Sequence, residues 1–314
     1  MIKNVFRKSL VIGIIILFLG ASVIPSLSIN IKNMSDRIGS ELKNNLDEDI
    51  IYIHVNDDST CPGNGSKEWP YCKIQYAIDN ASAGNTTIYV YSGKYFENVQ
   101  VNKTVTLEGK DEELDDGDDT GNPIIDGNEI DDVVNITADG VKISNFTIRN
   151  SGDDGAGIKL YSSTYTYIFE NIIENNDIGI KVMEGVNNNS FYHNNLFDNH
   201  QKNASDAGNN NWYYDIEGNY EGNYWGDNVC VDDDDGICDT SYDIPDGENR
   251  DEYPLVHPYG SIINNNTGDI FLTIQNAIDD PNAPGHTIYV KNGTYYENLQ
   301  FIDKEDFYLS LEGE

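Results

Sequence analysis

Two self-similarities of different length constrain this chain more than any other feature. The stretch from Ile74, IQYAIDNASAGNTTIYVYSGKYFENVQVNKTVTLEG, returns from Ile274 as IQNAIDDPNAPGHTIYVKNGTYYENLQFIDKEDFYLSLEG. The landmarks Ile74/Ile274, Ile88/Ile288, Tyr95/Tyr295 and Glu97/Glu297 all lie 200 positions apart. That is duplication of a module. Inside the first copy a finer period runs: GIKLYSS starts at Gly157 and GIKVMEG at Gly179, while NFTIRN, NIIENN and NLFDNH start at Asn145, Asn171 and Asn195. A unit of 22 to 26 residues cannot bury its own apolar face, so neighbours must stack around a shared core, as short strands joined by tight corners. Leucine-rich repeats have a similar period, but their leucine pattern is absent. Asparagines recurring at the corners would form a ladder of side-chain amides bonded from turn to turn. The expected fold is all-β, a right-handed parallel β-helix.

Ile74, Ala77, Ile78 and Ala81 fall at i, i+3, i+4 and i+7, the apolar stripe of a short helix that Gly84 can end. Directly before a series of strands, such a helix can lie across the open end of the coil and shield its first edge. The expected organisation is therefore residues 29–50 as linker, 51–258 as one β-helix module opened by a capping helix, and 259–314 as the start of a second module.

The first 28 residues carry Lys3, Arg7 and Lys8, an apolar run from Leu10 to about Ile24 and small residues near Ser28, the layout of a secretory signal peptide. An uncleaved anchor is the competing reading. Nothing else in the chain is apolar enough to span a membrane, so the mature chain is expected to be secreted or at the cell surface. Its 54 acidic against 19 basic residues give a formal charge of −35, which repels nucleic acid and anionic lipid alike. In an oxidising compartment four cysteines suit two local disulfides, Cys61 with Cys72 and Cys230 with Cys238. The two other connectivities remain open, and a four-thiolate zinc site lacks its usual Cys-x-x-Cys spacing. Asn80, Asn102, Asn135, Asn145, Asn203 and Asn292 head Asn-x-Ser/Thr triplets that could accept glycans.

The helix-strand opening, the Asn-rich turns and the ending NYEGNYWGDN...DDDDGICDTSYDIPDGENRDEYPL resemble the NosD-like, pectin-lyase-type right-handed β-helix proteins, in particular archaeal exported ones. The resemblance covers residues 51 to 258 and restarts near Ile262, and its most specific part is the ending. It implies a family that includes polysaccharide lyases, galacturonan hydrolases, pectin esterases and surface proteins without known reaction. A lyase needs a cation or basic residue to hold the uronate and an Arg or Lys as base; the coil offers Arg149, Lys142, Lys159 and Lys181. A hydrolase needs converging carboxylates. Asp153 and Asp154 are faintly similar to such a pair, yet no Gly-His-Gly or Arg-x-Lys segment follows, so a solvated corner is the plainer reading. The NosD name also implies copper. His54, His193, His200, His257 and His286 show no ligand-like spacing and no Met or Cys company.

The acidic segment CVDDDDGICD is similar to the family pattern Asp-x-Asp-x-Asp-Gly-Ile-x-Asp, in which alternate carboxylates face one hard cation and glycine makes the bend. Aligned on Gly236, the resemblance implies calcium ligands Asp233, Asp235 and Asp239, with the Ile237 carbonyl. Val231 departs from the first position, so Asp227 or Asp232 would replace it, and Asp243 could stand for the missing bidentate Glu. An empty acidic turn is the alternative. Tyr161, Tyr165 and Tyr167 could stack on sugar rings, against ordinary strand-face packing. These features together point to an exported, acidic β-helix protein of the cell surface, structural or carbohydrate-binding, with a structural calcium loop, possible tandem modules and extracellular glycans as partners. The alternative is a polysaccharide lyase or glycoside hydrolase of the same fold.

Overall fold

The computed structural model describes residues 50–114, 119–216, 218–228, 230–231, 235–280, 286–291, 295, 299–300 and 308–311. The chain visits three sheets in rotation, laying one short strand on each per coil. Sheet I holds Ile51–Val55, Thr86–Val90, Thr106–Gly109, Lys142–Ser144, Tyr167–Phe169, Asn187–Tyr192 and Asn209–Asn211. Sheet II holds Lys94–Phe96, Ile124–Asp126, Thr147–Arg149, Ile172–Glu174, Asn195–Phe197 and Tyr224–Trp225. Sheet III holds Val99–Val101, Val134–Ile136, Ala156–Leu160, Ile178–Val182 and Lys202–Asp206. Neighbouring strands pair in parallel throughout. This is the right-handed parallel β-helix that the period demanded.

Alternation within each strand sends one set of residues inward, and the register stacks like on like. On sheet I the inward column is Ile53, Ile88, Leu107, Ile143, Ile168 and Phe191. On sheet II it is Tyr95, Ile125, Ile148, Ile173, Leu196 and Trp225. All of these are buried in one continuous core. The Ile148, Ile173, Leu196 column also corrects the expected ladder. It aligns Asn145 with Glu170 and His193, and Asn171 with Asn194, so Asn145, Asn171 and Asn195 are not equivalent. A one-residue slip would turn the apolar column outward.

The real ladder is Asn171, Asn194 and Asn223, all fully buried. The Nδ2 of Asn194 donates to the carbonyls of Ile168 (2.8 Å) and Tyr192 (3.1 Å) and to Asn223 Oδ1 (3.0 Å). Its Oδ1 accepts from the Asn171 backbone N–H (3.2 Å) and Nδ2 (3.1 Å). Two further ladders run along the other corners, Asn176 to Asn199 and Asn189 to Asn210. Asn203 is buried where it accepts from Asn199 Nδ2 and donates to Asp227, so the expectation of a glycan there fails for want of solvent access.

The predicted helix is Ile74–Asn80, here α1, with Ile74, Ala77 and Ile78 buried over the first coils. Glu97 fastens its start by accepting the N–H groups of Ile74 (2.8 Å) and Gln75 (3.0 Å). In the second copy α2 spans Ile274–Asp279 and buries Ile274, Ala277 and Ile278 in a separate small core with Ile262, Ile288 and Val290. The duplication reaches the hydrogen bonds. Gln75 pairs with the backbone of Gln100 as Gln275 does with Gln300, and the Tyr95 hydroxyl donates to the carbonyl of Tyr91 as that of Tyr295 does to Lys291. The expected disulfides are both formed, Cys61–Cys72 and Cys230–Cys238, with Cα separations of 5.2 and 5.3 Å.

Asn194→Ala is expected to cost about 2–4 kcal/mol, because it strands buried N–H and C=O groups on two coils. Asn80→Ala, at an exposed helix end, is expected to change stability by less than about 0.5 kcal/mol. Urea denaturation of the two variants checks both values.

Candidate functional site

A stack of coils leaves its last apolar layer and last ladder rung uncovered, and here the NYEGNYWGDN...DEYPL ending, with Trp212 just ahead of it, supplies both covers. Trp212 lies on Phe191 (4.2 Å between ring centroids) and Trp225 stacks on Tyr242 (4.1 Å), with Ile244 buried beside them. The Asn171–Asn194–Asn223 ladder ends on Asp251, whose Oδ2 accepts from the Asn223 N–H (2.7 Å) and Nδ2 (3.2 Å) and from Trp225 Nε1 (3.0 Å). Its Oδ1 accepts from the Tyr253 N–H (3.0 Å). A Cβ on Gly222 would come within 1.9 Å of that Oδ1, which explains the glycine. The Asn189–Asn210 ladder runs on to Asn249, whose Oδ1 accepts the Asn210 N–H (3.2 Å), while Asp206 accepts from Asn210 Nδ2 and Trp212 Nε1; Asp227 ends a further stack through Asn203 and the Tyr242 hydroxyl. Fully buried, Asp251 has its carboxyl pushed up to about 7 by desolvation, against the pull of these donors.

The acidic loop is strapped to this cap. The Cys238 N–H donates to the Pro254 carbonyl (2.8 Å), the Asp239 N–H to Val231 (2.7 Å) and the Val256 N–H to Gly236 (3.1 Å), while Ile237 bridges Leu255. Asp235 Oδ1 accepts the Ile237 N–H (2.8 Å), and Gly236 makes the bend at φ +87°. Asp235 and Asp239 are exposed and Ile237 half-buried; Asp233, with Asp232, lies outside the described residues. Asp227 is engaged in the ladder end, and Asp243 stands exposed near Arg250. Among the described residues, the carboxylates that converge within 4.8 Å of one another are instead Asp57, Asp58 and Asp119. Burial holds Asp57 above the ordinary carboxylate range.

Tyr161, Tyr165 and Tyr167 all lie at the corner between sheets III and I of a single coil, 59%, 62% and 37% exposed. Tyr161 and Tyr165 stand outside the strands, whereas Tyr167 opens the sheet I strand, in register with Lys142 and Ser190, where strand-face packing accounts for it. No ring pair forms on any of the three among the described residues, although Lys142 Nζ sits 5.8 Å from the Tyr167 ring centre. The basic residues considered for a lyase are mostly engaged. Arg149 faces Asp126 (3.3 Å) and Glu174 (4.0 Å), and Lys159 meets Asp132 (2.9 Å). Asp153 and Asp154 are exposed at a corner, Asp154 donating its N–H to Asp177.

Sequence reasoning missed one cluster. Glu170 and His193 occupy the same corner on successive coils, both in the left-handed region (φ 58° and 56°). His193 Nε2 contacts Glu221 (2.8 Å), and its ring lies flat on Tyr259 at 4.0 Å. The Tyr259 hydroxyl pairs with Glu170, and its backbone exchanges two hydrogen bonds with the Asn195 amide. Burial raises Glu170, opposed by nearby His193, and raises Tyr259 well above a free phenol. The arrangement clamps the segment between the two modules to the coil. Its only sequence signal was the corner register, visible once the apolar column is aligned.

The family model described as "Periplasmic copper-binding protein (NosD)" matches residues 21–230. No curated protein matches. Solved structures with a similar fold include a pectin methylesterase in complex with hexasaccharide VII, at 15% identity and a TM-score of 0.33, covering 46% of this chain and 48% of that one. Another is the pectin methylesterase from Aspergillus niger in deglycosylated form, at 16% identity and 0.31, covering 50% and 57%. The chain thus spans about half the length of these structures. The described donors do not fit copper. All four cysteines are in disulfides, His54 contacts the Tyr91 hydroxyl, His193 is held by Glu221, and His286 meets Asn264. Copper favours clustered imidazole or sulfur donors, which the described residues do not assemble.

Asp251 gives the cap a pH signature. Between about pH 4, the ordinary carboxylate range, and about 7, the folded protein keeps a proton that the unfolded chain has released. Stability should fall as pH rises through that window and be insensitive to this group above it. Thermal melting of the parent against Asp251→Asn across the window is expected to show the parent losing ground to the variant as pH increases.

Proposed function

This chain belongs to the NosD family, and on that premise we propose that it is an exported structural element of the cell surface, a β-helix unit of a tandem array whose acidic loop is a calcium site at the junction between units. The observation that carries this reading is the position of the loop. A Cβ on Gly236 would lie 2.8 Å from Leu272 Cβ and 3.0 Å from Thr273, so the bend of the acidic loop packs on the residues that introduce α2. Thr273 itself caps that helix, its hydroxyl accepting the Asn276 N–H (3.0 Å). Ligands at Asp233, Asp235 and Asp239, with the Ile237 carbonyl, would gather one cation where the first module's cap meets the second module's start. A disulfide that confines these carboxylates at a net charge of −35 increases their repulsion, and a divalent ion relieves it.

A second reading, carbohydrate recognition on the tyrosine corner, is favoured by the exposed and unpaired rings of Tyr161 and Tyr165. Aromatic faces offer sugars an apolar platform. The pair considered for a hydrolase, Asp153 and Asp154, lies exposed at a corner, and on the structural reading incubation with pectate and alginate is expected to release no new chain ends.

Extracellular calcium sites bind at about 0.1–1 mM. At a hundredfold excess over the dissociation constant, calcium should stabilise the folded chain by about 2.7 kcal/mol. Differential scanning calorimetry with calcium or chelator is expected to show that gain in the parent and its reduction in Asp233→Asn and Asp235→Asn. Identical melting in both conditions, together with no heat of calcium binding, would establish an empty acidic turn.

A further inference from the structure

The disulfide-closed loop ahead of α1 takes no part in the C-terminal cap, the ladders or the junction, yet its backbone is fixed by hydrogen bonds and a disulfide. We infer that it is a binding pocket for neutral, hydroxyl-rich glycans, with Trp69 as the stacking platform. A cavity of about 680 Å³ opens there, lined by Asp58, Ser59, Asn64, Glu68, Trp69 and Pro70 among others. That volume lies within the usual range for small-ligand sites. Trp69 is 68% exposed, while Trp212 and Trp225 are buried in the C-terminal cap.

The exposure of Trp69 does not come from a loose loop. Its N–H donates to Ser66 Oγ (3.1 Å), and its carbonyl accepts from the N–H groups of Asn64 (2.9 Å) and Gly65 (3.1 Å). The loop is laced to the first strand of sheet I, with the His54 N–H donating to Gly65, Tyr71 to His54 and Asn56 to Tyr71, each at 2.9 Å. Cys61–Cys72 closes it. At Gly63 a Cβ would lie 1.9 Å from the Pro70 carbonyl oxygen, and φ is +74°, so the turn that carries Trp69 has no room for a side chain there. An indole held in water by a fixed backbone leaves a large apolar face unsatisfied, and the fixed backbone removes much of the ordering cost of binding.

The chemistry of the rim selects the occupant. Asp58 and Glu68 offer carboxylate acceptors and Ser59 and Thr60 hydroxyls, while Asn64, whose Oδ1 is taken by the Ser66 N–H (3.0 Å), presents its Nδ2. A pyranose has an apolar C–H face for the indole and equatorial hydroxyls that donate to carboxylates. An apolar peptide would leave the acidic rim unpaired. No lining residue is basic, so a uronate chain would meet the like charges of Asp58 and Glu68 on the rim. The pocket is separate from the tyrosine corner and the acidic loop, and each can fail without the others.

Because one tryptophan of three is exposed, the ligand can be followed on the full exported chain by tryptophan emission and acrylamide quenching. Cellohexaose and mannohexaose are the neutral probes, and hexagalacturonate the anionic one. A neutral probe is expected to shift the emission to the blue and to protect the exposed tryptophan saturably, with hexagalacturonate doing neither. Trp69→Ala should weaken calorimetric binding by about tenfold or more at unchanged melting temperature, and Trp69→Phe should recover part of the loss. Absence of protection by both neutral probes at millimolar concentration, an unchanged dissociation constant in Trp69→Ala, or preferred binding of hexagalacturonate would each overturn the assignment.

Discussion

The amide of a buried asparagine that bonds to the coils on either side of it is what allows this chain to turn its tight corners. Many corners place one residue in the left-handed region, among them Asn145, Glu170 and His193 at one corner, Asn150, Asn175 and Asp198 at the next, and Tyr165 and Asn188 at the third. That conformation costs roughly 1–2 kcal/mol for a residue with a Cβ, and it turns backbone groups away from the sheet ladders. The asparagines that follow, such as Asn171, Asn176 and Asn189, capture those groups with both ends of the side chain. Remove the amides and the corners strand buried donors and acceptors; keep them and the inward columns of isoleucine, valine and leucine fall into register by themselves.

A ladder of this kind has an end problem, and the two ends solve it differently. At the start, Glu97 reaches back to the first N–H groups of α1, whose apolar stripe then covers the open core. At the finish, Asp251 and Asp227 terminate two stacks as carboxylates, which accept at their oxygens and so pass nothing onward, while the Asn189–Asn210 ladder runs one rung further to Asn249. Two indoles, stacked over Phe191 and under Tyr242, tie the apolar and polar endings together through their N–H groups. The segment spanning residues 219–255 is thus above all a lid. It is also the place where the next module attaches, through the bend at Gly236 and through Tyr259, gripped by His193 and Asn195.

The strongly acidic surface shapes what this scaffold can meet. With a formal charge of −35, the chain attracts hard cations and repels phosphate-bearing polymers. The functional reading follows that division, with the acidic loop offered to calcium and the indole of Trp69 to uncharged sugars.

The coil, the capping helix, the duplicated module and both disulfides were legible in the sequence, because period, apolar stripe and cysteine spacing are local properties that stacking merely repeats. The positions of Glu97 and Asp251 were visible as motif letters, but their roles were not, since each acts on backbone groups more than 20 residues away. Sequence similarity aligned Asn145 with Asn171, whereas the structure set Asn145 beside Glu170 and placed the ladder one position on. The deciding force was burial of the Ile148, Ile173, Leu196 column, which no single repeat can express. The His193, Glu221 and Tyr259 cluster and the exposed Trp69 depended wholly on tertiary structure. A sequence specifies which residues can turn, pair or bury, but which of them share a corner, and which ring is left in water, is fixed only when the coils close on one another.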